Sequence, residues 1–513
     1  MPRKPTIIVL SAIVVLTVIL RGWQLGESLW LDELHTSWTV SGSLSDVAQR
    51  AAVGNQSPVY FWLTWFSARL PLPGEIALRL PSMLAGCALP VAVFWLCKKL
   101  LPKKGSESAD DTVPLLAAAL VAIAPRAIFY SQEARPYAIL MLVAALHYGV
   151  LLKGLERATW QMRTYWVITG ALLVHLHYTG GLILLAELVA LLLLAISDVR
   201  QRSPSGADCS PFKMCTNCLV DIGALVVLLL PAIPGMLAVS ARRENWSHFV
   251  EPQPWEAILL LFPWTTAVVV LIVLKWWRPV LQQPSLILLA CWIFVPQITA
   301  WLTTQVDVAR LFHSRYLIAV MPATLIAAAL CVRLCGNAAT QSIAAGIILA
   351  IAFATSGIMH NWRQDGKVLH DRREDWRGAV AALNDKLKND SATNPPILVR
   401  SGLIEADALR DNGEPFFRDY CLCPVKGIYR LNSDNLIPLT TDEPGLLQAE
   451  LSERLRSEDS LWLLVRTSQA SVREQLLKDL KKSLGVEIEA SEPQFFGNLY
   501  LQQIKLRQLP VRR

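Results

Sequence analysis

The sequence predicts an all-α polytopic membrane protein of about eleven transmembrane helices with a juxtamembrane helix, followed by a C-terminal α/β extracytoplasmic domain. Three observations carry that prediction. The 513 residues are 53% hydrophobic and only 17% charged, where soluble chains carry roughly 25% charged residues. Before His360, apolar runs of roughly 17–25 residues recur, each long enough to cross a bilayer as a helix. Beyond His360 the chain turns charged, and apolar positions alternate with polar ones. The boundary therefore falls between a membrane domain, 1–359, and a tail, 360–513.

The elements follow in order. The first run, 6–20, comes after Met1-Pro2-Arg3-Lys4, a basic start that belongs in the cytoplasm. No small-x-small cleavage site follows, and Arg21-Gly22-Trp23 reads as an interfacial anchor, so the segment is expected to be retained. The further candidate spans are 76–97, 113–130, 134–152, 165–177, 180–196, 219–239, 255–275, 285–302, 316–332 and 342–359. The piece 58–70 is too short to cross. It starts with Pro58 and carries Tyr60, Phe61, Trp62, Trp65 and Phe66, aromatics that favour the headgroup boundary.

Charge decides the threading. If 58–70 lies flat on the outer surface, Lys98-Lys99, Lys103-Lys104, Lys153 to Arg163, Arg200 to Lys213, Lys275 to Arg278 and Arg333 all face the cytoplasm, as the positive-inside bias requires. If it crosses, the pattern inverts. The flat reading puts Asp32-Glu33, the Glu133 turn, the 242–254 loop, the 307–315 loop and the tail on one outer side. The net charge of +7 sits largely between apolar runs and points to a membrane, with no nucleic acid as partner. In the tail, helical patterns cover 375–387 and 471–484, and strand patterns cover 397–400, 461–466 and 499–505, the order of a small α/β domain.

The outer loops carry the chemistry. Asp32 and Glu33 lie between Trp30 and Trp38 in an otherwise apolar segment. A partly dehydrated carboxylate is a stronger base, suited to deprotonating an alcohol or amine; the plain alternative is an acidic interfacial loop. In Tyr130-Ser131-Gln132-Glu133-Ala134-Arg135-Pro136-Tyr137, an acid and an arginine stand close to hydrocarbon, where each is costly. They either pair with each other across a turn or serve a ligand, Arg135 gripping a phosphate with its planar fork. Arg310, His313, Ser314, Arg315 and Tyr316 close a later outer loop, and Arg79 stands at the mouth of its own span. Snorkelling explains such cations one at a time. Gathered on the outer face against the usual bias, they suit a phosphate leaving group whose charge builds in the transition state. His175, His177 and Tyr178 end another outward-going span; the two histidines point to different helix faces and do not suit a shared metal.

Cysteines add little. Cys87, Cys97, Cys291 and Cys331 read as small packing residues. Cys209, Cys215 and Cys218 share a loop without a histidine, a poor zinc set. Cys421 and Cys423 stand too close together for an ordinary disulfide framework. The sequons at Asn245 and Asn389 matter only in a eukaryotic secretory pathway, and the expected location is a bacterial inner membrane.

The order of motifs resembles the GT-C glycosyltransferases, and more closely the bacterial relatives of dolichyl-phosphate-mannose protein mannosyltransferases, the family-39-like group that includes aminoarabinose transferases. Leu29-Trp30-Leu31-Asp32-Glu33 looks like the family's Asp-Glu signature. Ser57-Pro58-Val59-Tyr60-Phe61 is similar to its juxtamembrane helix, Leu78-Arg79-Leu80-Pro81-Ser82 to the entry of its second span, the 130–137 stretch to its second outer loop, and Ser314-Arg315-Tyr316 to its late Arg-Tyr. The resemblance implies a GT-C fold and an inverting transfer from a polyprenyl-phosphate sugar donor to a lipid or glycan acceptor of the cell envelope. In it Asp32 is the base, Glu33 and Glu133 are further catalytic acids, and Arg135, Arg315 and Arg79 hold the donor phosphate. Tyr137, His313, Tyr316 and Tyr178 touch substrate. Glu133 has two readings, a sugar hydroxyl or a divalent cation of the kind oligosaccharyltransferase relatives use. Gln56-Ser57-Pro58 departs from the family's His-x-Pro form, and the tail does not resemble the mannosyltransferases' β-trefoil. A protein O-mannosyltransferase, a multi-pass transporter and a non-catalytic envelope-assembly factor are the alternative readings.

Overall fold

The computed structural model describes residues 4–54, 56–101, 111–157, 159–201, 211–242, 250–262, 264–274, 283–370, 372–389, 394–411, 413–440, 455, 458–467 and 469–507. Cys209, the side chains of Cys215 and Cys218, the basic segments around Lys103-Lys104 and Lys275–Arg278, and both sequons lie wholly or partly outside the described residues. Two compact units emerge. The first comprises Met1–Leu25, Asn55–Leu63 and Arg79–Leu369; the second comprises Gly26–Gly54, Thr64–Leu78 and His370–Arg513. The segment that carries Asp32 and Glu33 thus belongs to the same unit as the tail.

The first unit is helical throughout. Among the described residues, seven helices are long and apolar enough to cross a membrane, or eight if the bent pair Thr112–Ile123 and Pro125–Ser131 is one span. The other three expected spans fall on shorter helices, Trp160–Leu176, Thr265–Leu274 and Met321–Leu330. The helix Val59–Ser67 has nine residues, about 14 Å at 1.5 Å per residue, far short of a ~30 Å hydrocarbon core.

The bend of 59° has a local cause. Pro125 supplies no N–H, and its ring crowds the carbonyl four residues earlier, which is Val121. Arg21 makes good the loss: its Nη2 donates to the Val121 carbonyl at 3.1 Å, its Nη1 to Ala122 at 3.0 Å, and its Nε to Ser131 Oγ at 3.1 Å. Arg21 is fully buried, so it caps a broken helix where the sequence suggested an interfacial anchor. Trp23 stays exposed, with its indole N–H on the Gly366 carbonyl.

Elsewhere polar groups inside the helical unit are matched in the same way. His147, on Tyr137–Glu156, shares its Nε2 with Glu187 Oε2 at 2.7 Å and its Nδ1 with Thr169 Oγ1 at 2.8 Å, while Trp166 Nε1 donates to Glu187 Oε1. Three successive helices are tied by one network. Tyr148 stacks flat on Trp292, ring centroids 4.0 Å apart.

In the second unit the strands are β1 (Ile397–Arg400), β2 (Leu436–Leu439), β3 (Ser460–Arg466), β4 (Glu487–Ala490), β5 (Gln494–Phe496) and β6 (Leu499–Arg507), in the order β2-β1-β3-β6-β4 with β5 on β6. β1 runs parallel to β2 and β3, whereas β6 is antiparallel to β3, β4 and β5. Leu461, Leu463 and Val465 of β3 join a core with Leu476, Leu480 and Leu484, which recur every four residues on the helix Ala470–Leu484. On the opposite face of β3 the Trp462 ring lies under Lys386, on the helix Trp376–Asn389. Burial on both faces explains why β3 reads as an unbroken apolar run. The strands and helices expected in the tail all appear, within a residue or two at most ends.

Replacing Glu187 by Ala leaves the His147 and Trp166 donors unmatched in apolar surroundings, at about 1–3 kcal/mol each. Thermal unfolding of the detergent-solubilised chain should show a clearly lower midpoint for Glu187→Ala. An unchanged midpoint would mean that the network contributes nothing to stability.

Candidate active site

The expected site residues divide between the units: Asp32 and Glu33 lie in the second, the other eight in the first. In the helical unit, the end of the bent pair and the turn after it bring Tyr130, Glu133, Arg135 and Tyr137 into the interior, all nearly inaccessible. Tyr130 and Tyr137 pack with centroids 4.8 Å apart, Tyr137 and His177 at 5.5 Å, His177 and Tyr316 at 6.1 Å, and Tyr316 and His313 at 5.7 Å. The Arg315 guanidinium stands 6.0 Å from the Tyr137 ring and hydrogen-bonds the Tyr130 side chain. Arg135 and Arg315 both act on His177. Two motifs far apart in sequence thus converge, setting Arg135 and Arg315 around one aromatic group.

The backbone of this group is fixed by short contacts. Ser82 Oγ donates to the Arg135 carbonyl at 2.7 Å and meets Tyr60 Oη at 3.0 Å. Thr304 Oγ1 accepts from the amides of Leu311 and Phe312, each at 3.0 Å, shaping the loop before His313. Thr179 Oγ1 donates to the Tyr316 carbonyl at 2.8 Å. Arg79, one helical turn from Ser82, is fully buried and donates to the Leu25 carbonyl at 2.8 Å. Tyr178 points elsewhere: its hydroxyl sits against Gly235, where a Cβ would collide with it. His177, not Tyr178, joins the ring group. His177 is weighed in the sequence only as one of three residues ending its span, and Tyr130 only as the start of the motif quoted for its acid and arginine.

In the second unit, the helix Leu31–Ser41 carries Asp32 and Glu33 in its first turn, where the helix dipole favours negative charge. Their environments differ. Glu33 is fully buried, paired with Arg372 Nη1 at 2.6 Å, and reaches back to the Trp30 amide. Asp32 keeps partial access to solvent. The Leu31 amide donates to Glu374 Oε2 at 3.0 Å, and Glu374 in turn pairs with Arg466 at 2.7 Å. Burial raises the Glu374 carboxyl above its ordinary range, with Arg466, Trp376 and the Leu31 amide opposing the shift. Tyr429 Oη accepts from the Leu29 amide at 2.8 Å, and Asp419 Oδ2 accepts from Trp38 Nε1 at 3.0 Å. The helix is therefore clamped at both ends by the tail.

Among the described residues no group of three or more His, Cys, Asp or Glu side chains could hold a metal ion.

Residues 55–205 match the family model of dolichyl-phosphate-mannose-protein mannosyltransferases. Crystal structures of ArnT from Cupriavidus metallidurans are similar in fold: the form bound to undecaprenyl phosphate gives a TM-score of 0.55 at 10% identity over 98% of both chains. Its apo state gives 0.56 over the same coverage, again at 10% identity. The apo oligosaccharyltransferase of Archaeoglobus fulgidus gives 0.50 at 12% identity, over 95% of this chain and 69% of that one. No curated protein sequence matches the chain. The chain therefore has the fold of these membrane proteins, and a segment of it is similar to the mannosyltransferase model. That segment contains Arg79, Glu133, Arg135 and Tyr137.

Two predictions follow from these geometries. Arg372→Ala leaves the buried Glu33 charge without its cation, which costs about 3–5 kcal/mol. The double variant Glu33→Gln/Arg372→Gln should recover part of that loss in urea unfolding, and equal stability of the two variants would remove the pair as a structural element. The second concerns His313, whose imidazole is held below its ordinary value by burial first, then by Arg315 and Arg126. Its Nδ1 accepts from the Arg315 amide at 3.2 Å, so the neutral ring is the one the fold uses. With a folded value below the unfolded ~6.5, its contribution is present above that pH and lost as the pH falls through the folded value. Wild type should lose thermal stability from pH 6.5 to 5 faster than His313→Asn; parallel curves would contradict this.

Proposed function

We propose that the chain is an inverting glycosyltransferase that moves a sugar from a polyprenyl phosphate to a lipid or glycan acceptor of the cell envelope, on the extracytoplasmic side of a bacterial inner membrane. The observation that carries it is the convergence of Arg135 and Arg315 on one aromatic group in the helical unit. Two guanidinium groups suit a phosphate, and the rings suit a sugar face or a prenyl stem. The undecaprenyl phosphate bound by ArnT, a protein of similar fold, supports this class of donor.

In the proposed reaction the Asp32 carboxylate takes the proton of the acceptor hydroxyl. That oxygen attacks the anomeric carbon from the side opposite the phosphate. The anomeric C–O bond breaks, its electron pair leaves on the polyprenyl phosphate, and Arg135 and Arg315 stabilise the charge that develops there. Glu33, locked on Arg372, is a positioning residue that fixes the first turn beneath Asp32. Arg79 contributes to the same positive field. The match of 55–205 to the protein mannosyltransferase model favours a second reading, in which the acceptor is a protein hydroxyl.

Purified protein incubated with radiolabelled polyprenyl-phosphate sugars, and separately with lipid, glycan and peptide acceptors, tests both. Asp32→Asn should abolish transfer while leaving donor binding intact. Arg135→Ala should lower kcat about 10²-fold or more, the usual effect of losing one donor to a developing charge. A fully active Asp32→Asn variant removes Asp32 as the base, and transfer to peptide alone selects the second reading.

A further inference from the structure

A cavity of about 240 Å³ opens in the second unit, lined by Arg400, Arg466, Thr467, Gln469, Val472 and Asn498. Its place follows from topology. β1 and β3 are parallel neighbours, with Arg400 opposite Val465 at their carboxyl ends. From β1 the chain goes on to β2 on one side; from β3 it goes through the helix Ala470–Leu484 toward β4 on the other. Adjacent strands whose connections diverge leave a crevice outside their carboxyl ends, the place where open α/β sheets bind ligands.

The lining has one chemical character. Among the described residues it holds two guanidinium groups, a hydroxyl and two amides, with the Glu374 carboxylate on the Arg466 group. Val472 stands in the first turn of a 15-residue helix whose N-cap, Gln469, makes no side-chain cap hydrogen bond, so the helix end adds positive potential. Arg466 commits its Nε to Glu374 at 2.7 Å, one of five N–H donors on the group. Glu374 also holds the Leu31 amide through its other oxygen.

We propose that this crevice binds a phosphate-bearing ligand between Arg400 and Arg466, and that occupancy is relayed through Glu374 to the first turn of the helix that carries Asp32 and Glu33. A phosphate takes up part of the positive charge of Arg466 that Glu374 otherwise uses. The carboxylate then holds the Leu31 amide with less support. Binding at the crevice and order at the first turn are thereby linked, and by reciprocity each alters the other. The site does not depend on the glycosyltransferase reading and survives its failure.

The test uses the full chain in detergent, titrated with inorganic phosphate at ionic strength matched by sodium chloride and read as a thermal shift. A saturable rise in the unfolding midpoint is expected. Arg400→Gln should weaken apparent phosphate affinity about tenfold, as expected for loss of a charge-assisted hydrogen bond. Val472→Glu introduces an acid where a helix first turn tolerates one and should abolish binding even if Arg400→Gln fails to fold. Glu374→Gln, which frees Arg466, should tighten binding severalfold. Phosphate should also raise hydrogen exchange at residues 31–33 in wild type but not in Val472→Glu. A short-chain phosphatidate below its micelle concentration forms a second arm. Binding tighter than phosphate, and lost in Val472→Glu, assigns the ligand to a lipid headgroup; parity assigns it to a water-soluble phosphate. A midpoint that does not saturate, or that responds equally in wild type and Val472→Glu, overturns the site. Unchanged exchange at 31–33 overturns the relay.

Discussion

Charge and backbone polarity withdrawn from water must be answered by the protein itself, and several sequence-distant contacts in this molecule meet that requirement. Arg21 answers the carbonyls freed by Pro125. His147 and Glu187 answer each other between helices. Arg372 answers Glu33 at the start of Leu31–Ser41. In each case one member would be expensive if left alone, so the pair fixes the relative position of two chain segments. Loss of a partner costs more than the pair gains over an apolar substitute, which makes these contacts determinants of geometry more than sources of stability.

The acidic doublet shows how this rule sorts two chemically similar groups. Glu33 is buried, ion-paired with Arg372 and tied back to the Trp30 amide, both through Oε2. Asp32 occupies the same helix turn but keeps access to solvent. Glu33 therefore holds the turn from inside, while Asp32 stands at its partly exposed side. Residues 26–54 and the tail form one compact unit, so the first turn that carries both acids is supported by the tail. Glu374 on the Leu31 amide, Tyr429 on the Leu29 amide and Arg377 on Glu75 all contribute to that support.

Much of this was legible in the sequence, because hydrophobic length and alternation are local properties. The tail strands at Ile397–Arg400 and Leu461–Arg466 and the helix ending at Leu484 follow from runs of a few residues, as does the short aromatic helix Val59–Ser67. What stayed hidden are partnerships across long loops. Arg372 and Glu374 sit in a charged stretch that reads as ordinary solvated tail, and nothing local marks them as partners of Glu33 and Leu31. Arg21 looked like an interfacial anchor because its neighbours are Leu20, Gly22 and Trp23; only the bend at Pro125 reveals what it caps. Tyr178 and His177 differ by one residue, and the 3-10 turn Tyr178–Gly180 decides which of them joins the rings. Periodicity cannot resolve a choice made by one turn.

The bent pair also explains why the second acidic motif can be built where it is. Pro125 breaks the helix and lets Pro125–Ser131 leave the axis of Thr112–Ile123, which would otherwise carry Tyr130 further along the span. The diverging segment must then cross closely over Gly74–Leu100. A Cβ at Gly86 would overlap the Ser131 hydroxyl, so the crossing needs glycine there, and the same hydroxyl donates to the Ala127 carbonyl while receiving Arg21 Nε. Pro125 frees a helix carbonyl, Gly86 leaves a gap on its helix, and Arg21 is costly among apolar helices when taken singly. Together they satisfy one another's deficits, and their joint product is a turn that delivers Glu133, Arg135 and Tyr137 into the interior.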